Sequence, residues 1–392
     1  MFYFSKRVFM DVLVVGAGPA GSSVAKHLAE KGAEVLIIEK RQEIGAPKRC
    51  GEGLSRSALE RMGLEPDPKW ICQEIQRARV YAPNGKSVTA EFDGPEGWVI
   101  ERKVFDKELA KLAVEAGAQI RTKTELLELE RDRDCWRVKT NRGEERPKVL
   151  VAADGVESQT ARLAGLNTTL ELSDIASCAQ FELSGIDIDP EEIRLYFGRK
   201  IAPGGYVWVF PKGKRTANVG VGVRRPFAEK PAINYLQEFV EKAFPDASVL
   251  EVNAGGVPVG GLMKDMVLDG FLAVGDAAHQ VNPIHGGGIA EAWVAGRIAA
   301  EVIAEALKHQ DWSKSRLNEY NRRWWKERGE KLEKLWKLRK VVESLTDDDL
   351  NWLADQLSGE DLVELARASK FKLFASILVK RPKLAILARK LF

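Results

Sequence analysis

The 392-residue sequence has only four cysteines, Cys50, Cys72, Cys135 and Cys178, and no two of them form a C-x-x-C pair. Such spacing argues against a zinc site, an iron–sulfur cluster or a disulfide framework, and it fits a reducing cytosol. Long apolar runs are also missing: no stretch reaches the roughly 18 residues of a membrane-spanning helix. The opening MFYFSKRVFM is too short and too interrupted for a signal peptide. The net charge of +3 is small, so the composition gives no pull toward nucleic acid. What is present is globular, with 45% hydrophobic and 30% charged residues and length for two or three domains.

Met10 directly precedes DVLVVGAGPAGSSVAKHLAEKGAEVLIIEK, which reads as strand, glycine turn, helix and second strand. The nine residues before it are expected as a frayed lead-in. Gly16, Gly18 and Gly21 fill the G-x-G-x-x-G template. The first permits a tight turn, the second lets a pyrophosphate approach the backbone, and the third lets the helix pack on the strand. The helix N-terminus then favours the phosphates. Glu39 ends the second strand, placed to accept hydrogen bonds from a ribose. A bound dinucleotide follows.

Two later segments bear on which dinucleotide. VLVAADGVESQTAR is a buried strand ending in Asp154-Gly155, and GFLAVGDAAHQVNPIHGGGI carries a strand over Phe271–Val274, then Gly275-Asp276 and three glycines before a helix. Asp276 can accept from a ribityl hydroxyl, and the helix start after Gly286-Gly287-Gly288 favours negative charge on a reduced flavin ring. GYVWVF and TANVGVGV alternate with period two, which predicts an antiparallel sheet over about 170–260. A helix over ERKVFDKELAKLAVEAGAQI presents Phe105, Leu109, Leu112 and Ala116 as its apolar stripe, with Arg102 just ahead of it.

Three converging nucleotide segments resemble FAD-dependent oxidoreductases of the para-hydroxybenzoate hydroxylase class. The fold so implied is mixed α/β: a Rossmann-type FAD-binding domain (1–60, 95–165 and 265–310) interleaved with an antiparallel-sheet substrate domain (61–94 and 166–264), then a C-terminal helical region (311–392). One departure is visible. After Asp154-Gly155 and Ser158 the arginine comes at Arg162, one place later than in those hydroxylases, which weakens an inference that NADPH docks as it does there.

Within that class the chain resembles the archaeal geranylgeranyl reductase family. RCGEGLS (Arg49 to Ser55), PGGYVWVFP (Pro203 to Pro211) and GDAAHQVNPIHGGGI (Gly275 to Ile289) carry the likeness. The second fits the family's P-x-x-Y-x-W-x-F-P pattern at Pro203, Tyr206, Trp208, Phe210 and Pro211. The resemblance implies FAD contacts at Ala20, Glu39, Cys50, Gly51, Gly53, Arg102, Leu126, Asp276, Gly288 and Ile289. Leu126 would act through its backbone and has no motif of its own. The implied reaction saturates C=C bonds of geranylgeranyl chains on ether-lipid precursors. NADPH, ferredoxin or a deazaflavin would leave the same motifs as electron donor, and no metal is implied.

An isolated trisubstituted alkene accepts hydride only if its other carbon is protonated. The developing cation needs a dry pocket with aromatic faces. Tyr206 and Trp208, two apart on one strand, are expected on one side of it as the wall of the lipid channel, with Cys50 as the third catalytic residue. Cys50 beside Arg49 is expected to have a lowered thiol pKa, and to donate a proton, touch substrate or shape the pocket, with Glu52 its proton partner. His279 and His285 read as loop residues.

RLNEYNRRWWKERGEKLEKLWKLRKVVESL places Trp324, Leu332, Leu335, Val342 and Leu345 on one helical face, and Thr346-x-x-Asp349 and Ser358-x-x-Asp361 read as capping boxes. The last 23 residues hold seven basic residues and no acid, which suits peripheral contact with an anionic membrane from the cytoplasmic side as well as packing on the body. Other readings on the same fold are a flavin monooxygenase or halogenase, a reductase acting on a chlorophyll or free prenyl diphosphate, and a prenyl-lipid carrier. A quinone-linked enzyme would need a cluster-binding cysteine after Cys178, and there is none.

Overall fold

The structure is a computed structural model that describes residues 10–366 together with 377, 380 and 381. A six-stranded sheet runs in the order Val267–Leu268, Phe271–Ala273, Pro147–Ala152, Met10–Val15, Val35–Ile38 and Gln119–Arg121. All pairs are parallel except the short first one. Its central strands are buried on both faces, as expected of a parallel sheet sandwiched by helices.

The helix Pro19–Ala29 lies against Ile289–Lys308 at close range. A Cβ on Gly296 would come within 2.6 Å of Ser23 Cβ, and Ser23 Oγ donates to the Trp293 carbonyl at 2.6 Å. Of the expected stripe on the helix Arg102–Glu115, Phe105 and Leu109 are buried, but Ala110 and Ala113 complete it; Leu112 is half-buried and Ala116 lies beyond the helix end.

A seven-stranded sheet has the order Ser248–Pro258, Ile175–Ser184, Thr216–Arg224, Tyr206–Pro211, Glu192–Tyr196, Arg77–Tyr81 and Ser87–Glu91. It is antiparallel apart from the pair Glu192–Tyr196 with Arg77–Tyr81. One face is covered by the helix Ala232–Ala243 over Phe181, Leu183, Val219 and Val221. The opposite face looks toward the loop that holds Cys50. A small sheet of Gly53–Ser55, Gly97–Ile100 and Ile71–Ile75 adjoins that loop.

The C-terminal helices include one irregular turn. Trp325–Gly329 is a π-helical turn between Glu319–Trp324 and Glu330–Ser344. Gly329 permits it, since a Cβ there would sit 2.6 Å from the Trp325 ring. Trp324, Leu332, Leu335, Leu338, Val341 and Leu345 are buried against the six-stranded sheet's core, with Val342 packed at its margin. Both capping boxes are formed. Replacing Thr346 by alanine is expected to lower stability by about 1 kcal/mol, read as a shifted urea midpoint with unchanged slope.

Most of the basic tail lies outside the described residues, as do residues 1–9. Within it, Ile377 is buried in the main core, and Arg381 pairs with Asp349 at 2.5 Å. Among the described residues no helix is long and apolar enough to cross a membrane.

Candidate active site

Gly16 turns the chain at the end of the first strand with φ +105°, and a Cβ there would lie 2.4 Å from the Ala153 carbonyl oxygen. Gly21 lets the helix sit on the turn: its Cβ would fall 1.9 Å from Gly16 O. Gly18 differs, with no atom within 4 Å of a Cβ, so its free side opens away from the protein. Ala20 meets the second nucleotide segment, its Cβ 2.8 Å from where one would stand on Gly275.

Glu39 accepts from Ala17 N and Arg41 N, both at 3.0 Å, through different oxygens. Each oxygen keeps a lone pair for a further donor. The Glu39 carbonyl accepts from Thr124 N, which brings the loop before Leu126 to the same strand end; the Leu126 side chain is buried in the core. Asp276 sits in a 3₁₀ turn over Gly275–Ala278. Burial pushes its carboxyl up to about 6, partly offset by the Arg102 charge. Gly288 approaches it closely, a Cβ there lying 3.1 Å from Asp276 Oδ1, and the helix beginning at Ile289 has no side-chain cap. His279 takes a left-handed conformation at the end of the Gly275–Ala278 turn.

Cys50 joins these pieces, packing at the margin of the cluster of Leu54, Ile289 and Trp293. Its sulfur accepts from Glu52 N at 3.2 Å, and the Arg102 guanidinium lies within electrostatic reach of it. Arg102 is gripped by both oxygens of Asp106, at 2.9 and 2.8 Å. Arg49 is not the cation beside the thiol: it reaches away to Glu157 at 2.9 Å.

Nor is Glu52 free to serve as the thiol's proton partner. It is fully buried, and its carboxylate accepts from Arg102 N at 2.8 Å, Asn218 Nδ2 at 2.6 Å and Lys212 Nζ at 3.1 Å. Lys212 also contacts Glu101 at 2.7 Å and Glu182 at 3.2 Å, while Lys48 spans Glu182, Glu251 and Glu52 at 2.5, 3.2 and 3.3 Å.

Tyr206 and Trp208 do share one side of their strand, ring centroids 6.0 Å apart at 64°. The register sets Trp208 beside Gly220 and Gln180, and Tyr206 beside Gly222, Cys178 and Gly255. Trp208 lies flat on the sheet because Gly220 has no side chain; a Cβ there would be 2.2 Å from the ring. Its Nε1 donates to Gln180 Oε1 at 2.9 Å. The Tyr206 hydroxyl donates to the His285 carbonyl at 2.7 Å, tying the aromatic wall to the Gly286–Gly288 loop. Gly51 and Gly53 lie under Phe210, with Cβ positions 3.2 and 3.0 Å from its ring. Arg162 donates to Glu157 O, and Asp154 is satisfied by Ser158 and Thr160.

The structure thus brings the dinucleotide turn, the Cys50 loop, Asp276, the Ile289 helix start and the aromatic wall together. Cys178, Gln180, Asn218 and Lys212 join them without having been singled out. The first two alternate with Ala179 and Phe181, so their shared face was available from period two; Lys212 directly follows the aromatic motif.

A Rossmann turn facing an antiparallel sheet across a glycine-rich helix start defines a flavin-dependent oxidoreductase. A family model described as the geranylgeranyl reductase catalytic domain matches residues 174–257, and one described as an NAD(P)-binding Rossmann-like domain matches 14–48. Curated digeranylgeranylglycerophospholipid reductases from Methanocella arvoryzae and Methanocaldococcus jannaschii are each 45% identical, over 95% of this chain and 97% and 96% of theirs. The chain belongs to the digeranylgeranylglycerophospholipid reductase family. Among solved structures, a geranylgeranyl bacteriochlorophyll reductase-like protein from Thermoplasma acidophilum matches with TM-score 0.89 and 35% identity, over 98% of this chain and all of that one. The flavin-dependent brominase Bmp2, at TM-score 0.66 and 20% identity over 97% of this chain and 94% of its own, shares the fold.

Proposed function

We propose that this chain is an FAD-dependent reductase that saturates C=C bonds of geranylgeranyl chains on a glycerophospholipid precursor of archaeal ether lipids. The observation that carries the reading is the aromatic wall: Tyr206 and Trp208 stand over bare glycine backbone, directly across from the Cys50 loop and the Ile289 helix start. The residues fit FAD. Gly18 leaves an open side for the pyrophosphate, Glu39 has lone pairs for the ribose, and Asp276 and Arg102 flank the remaining path, with Gly16, Ala20, Gly21, Gly51, Gly53, Leu126, Gly288 and Ile289 supplying backbone contacts or close approach.

When bound, the flavin supplies the hydride. The chain's own residues do the rest. Tyr206 and Trp208 exclude water and offer π faces to the tertiary carbon as positive charge grows on it. Cys50 delivers a proton from Sγ to the other alkene carbon, and the resulting thiolate is held by the Arg102 guanidinium and the Glu52 N–H. One hydride and one proton add two hydrogens per double bond. In this reading residues 1–60, 95–165 and 265–310 carry the cofactor, and 61–94 and 166–264 carry the lipid.

The test is anaerobic. Chemically reduced protein mixed with a geranylgeranylated glycerophospholipid is expected to reoxidise its flavin while the product gains two hydrogens per double bond. Flavin that stays reduced until oxygen enters would overturn the reading and favour oxygenase chemistry. Cys50→Ala is expected to lower the reoxidation rate by about 10²-fold, the scale of a lost general acid. Trp208→Ala is expected to lower it about 30-fold, from about 2 kcal/mol of desolvated cation–π stabilisation.

A further inference from the structure

Beside the Gly286–Gly288 loop, where His285 holds the Tyr206 hydroxyl, cations gather around a single buried acid. Glu291, in the first turn of the long helix after Gly288, is buried, and both its oxygens are taken by Arg328 at 2.6 and 2.7 Å. Arg61, at the last turn of the helix Arg56–Met62, is left 3.9 Å from the same carboxylate and makes no hydrogen bond among the described residues. Lys331 follows Arg328 by three positions, on the same side of the helix, and makes neither hydrogen bond nor ion pair among the described residues. Three cations thus surround one carboxylate. Glu327 is drawn off by Arg297 at 2.6 Å, and Glu60 stands at the exposed edge.

The placement is anchored. Trp293 Nε1 donates to Met62 O at 3.0 Å, which fixes the helix bearing Arg61 to the one bearing Glu291. His285, whose carbonyl takes the Tyr206 hydroxyl, lies within electrostatic reach of both Arg61 and Glu291. Burial outweighs the Glu291 charge and holds Arg61 and Lys331 below their ordinary pKa values, with the Arg328 charge adding to the effect on each. Both side chains are open to solvent and to a ligand.

We infer that Arg61, Arg328 and Lys331 form a subsite for a phosphate ester at the rim of the flavin loop. The unengaged fork of Arg61, the edge of Arg328 that Glu291 leaves open and the Lys331 ammonium suit phosphate oxygens, with Arg328 already oriented by Glu291. Taking the phosphate to be the lipid's head group rests on the reductase reading. A phosphorylated electron donor would present the same chemistry.

The experiment uses the full-length holoenzyme, wild type and the double variant Arg61→Gln/Lys331→Gln. With dithionite as reductant, kcat/KM is measured for a geranylgeranylated glycerophospholipid and for the same lipid ending in a free hydroxyl. The phospholipid-to-alcohol ratio is expected to fall at least tenfold in the variant, mainly through KM. Pyrophosphate binding, followed by titration calorimetry, is expected to weaken at least tenfold as well. An unmoved lipid ratio with a tenfold higher KM for a phosphorylated donor assigns the subsite to the donor's phosphate. Changes below twofold in the lipid ratio, the donor KM and pyrophosphate binding overturn the subsite. If neither lipid is reduced by any form, the reductase reading fails, and the pyrophosphate titration alone decides the subsite.

Discussion

Gly16→Ala is expected to emerge from purification nearly colourless, with flavin affinity reduced at least 100-fold and the fold itself weakened. At φ +105° a side chain is strained, by about 1–3 kcal/mol. The added methyl would also stand 2.4 Å from a main-chain oxygen of the neighbouring strand segment, which cannot swing aside as a flexible side chain would. The strand end must shift, and it carries the turn that faces the pyrophosphate. Gly18→Ala separates the two effects. With no protein atom within 4 Å of the new methyl, urea stability is expected to hold while flavin content falls. The ratio of flavin to protein absorbance, read beside urea melts, checks both.

Lys212→Met is expected to cost about 3–5 kcal/mol at pH 7, the scale of leaving buried charges without their partner. The ammonium is nearly buried and touches Glu52, Glu101 and Glu182, whose carboxylates approach one another within 4.8 Å. Burial pushes the carboxyls of Glu101 and Glu182 up, but hydrogen bonds and charge from Lys212 and Lys48 outweigh it and hold both below the ordinary glutamate value. Folded values below unfolded ones give stability that is present above pH ~4.5 and lost as the pH falls through the folded values. Without Lys212 that depression shrinks, since Lys48 alone remains to hold the carboxylates charged. The difference between wild type and variant should therefore be largest near neutrality and narrow as acid protonates the cluster. Urea melts at pH 7 and pH 4 read it directly, and a gap that widened in acid would contradict the assignment.

Local pattern made much of the site legible. Gly16, Gly18 and Gly21 act through spacing within one turn, and the common face of Tyr206 and Trp208 follows from their separation by two. The charged cluster was not legible, because Lys48 and Glu52 from the Cys50 loop meet Glu101, Glu182, Lys212 and Glu251, from four other stretches, only when the sheet and that loop close together. For the same reason adjacency misled at Cys50. Arg49 is its neighbour in the chain, yet the course of the loop takes that side chain to Glu157, and Arg102 arrives from a helix start some fifty residues on. On the helix Arg102–Glu115 the leucine at 112 looked like core, but Ala110 and Ala113 are the buried pair, on a helix that packs against Pro19–Ala29.

The last helices give the molecule a property that neither sheet has alone. Trp324, Leu332 and Leu335 are sunk in the core of the six-stranded sheet. A few turns on, Glu343 takes Arg224 from the seven-stranded sheet, Trp336 donates to Gly260 O, and Asn351 accepts from Asn84 N. Such a tie-bar fixes the spacing of the two halves. The two sheets therefore hang on one helical strut, so a substitution that loosens it is expected to be felt on both.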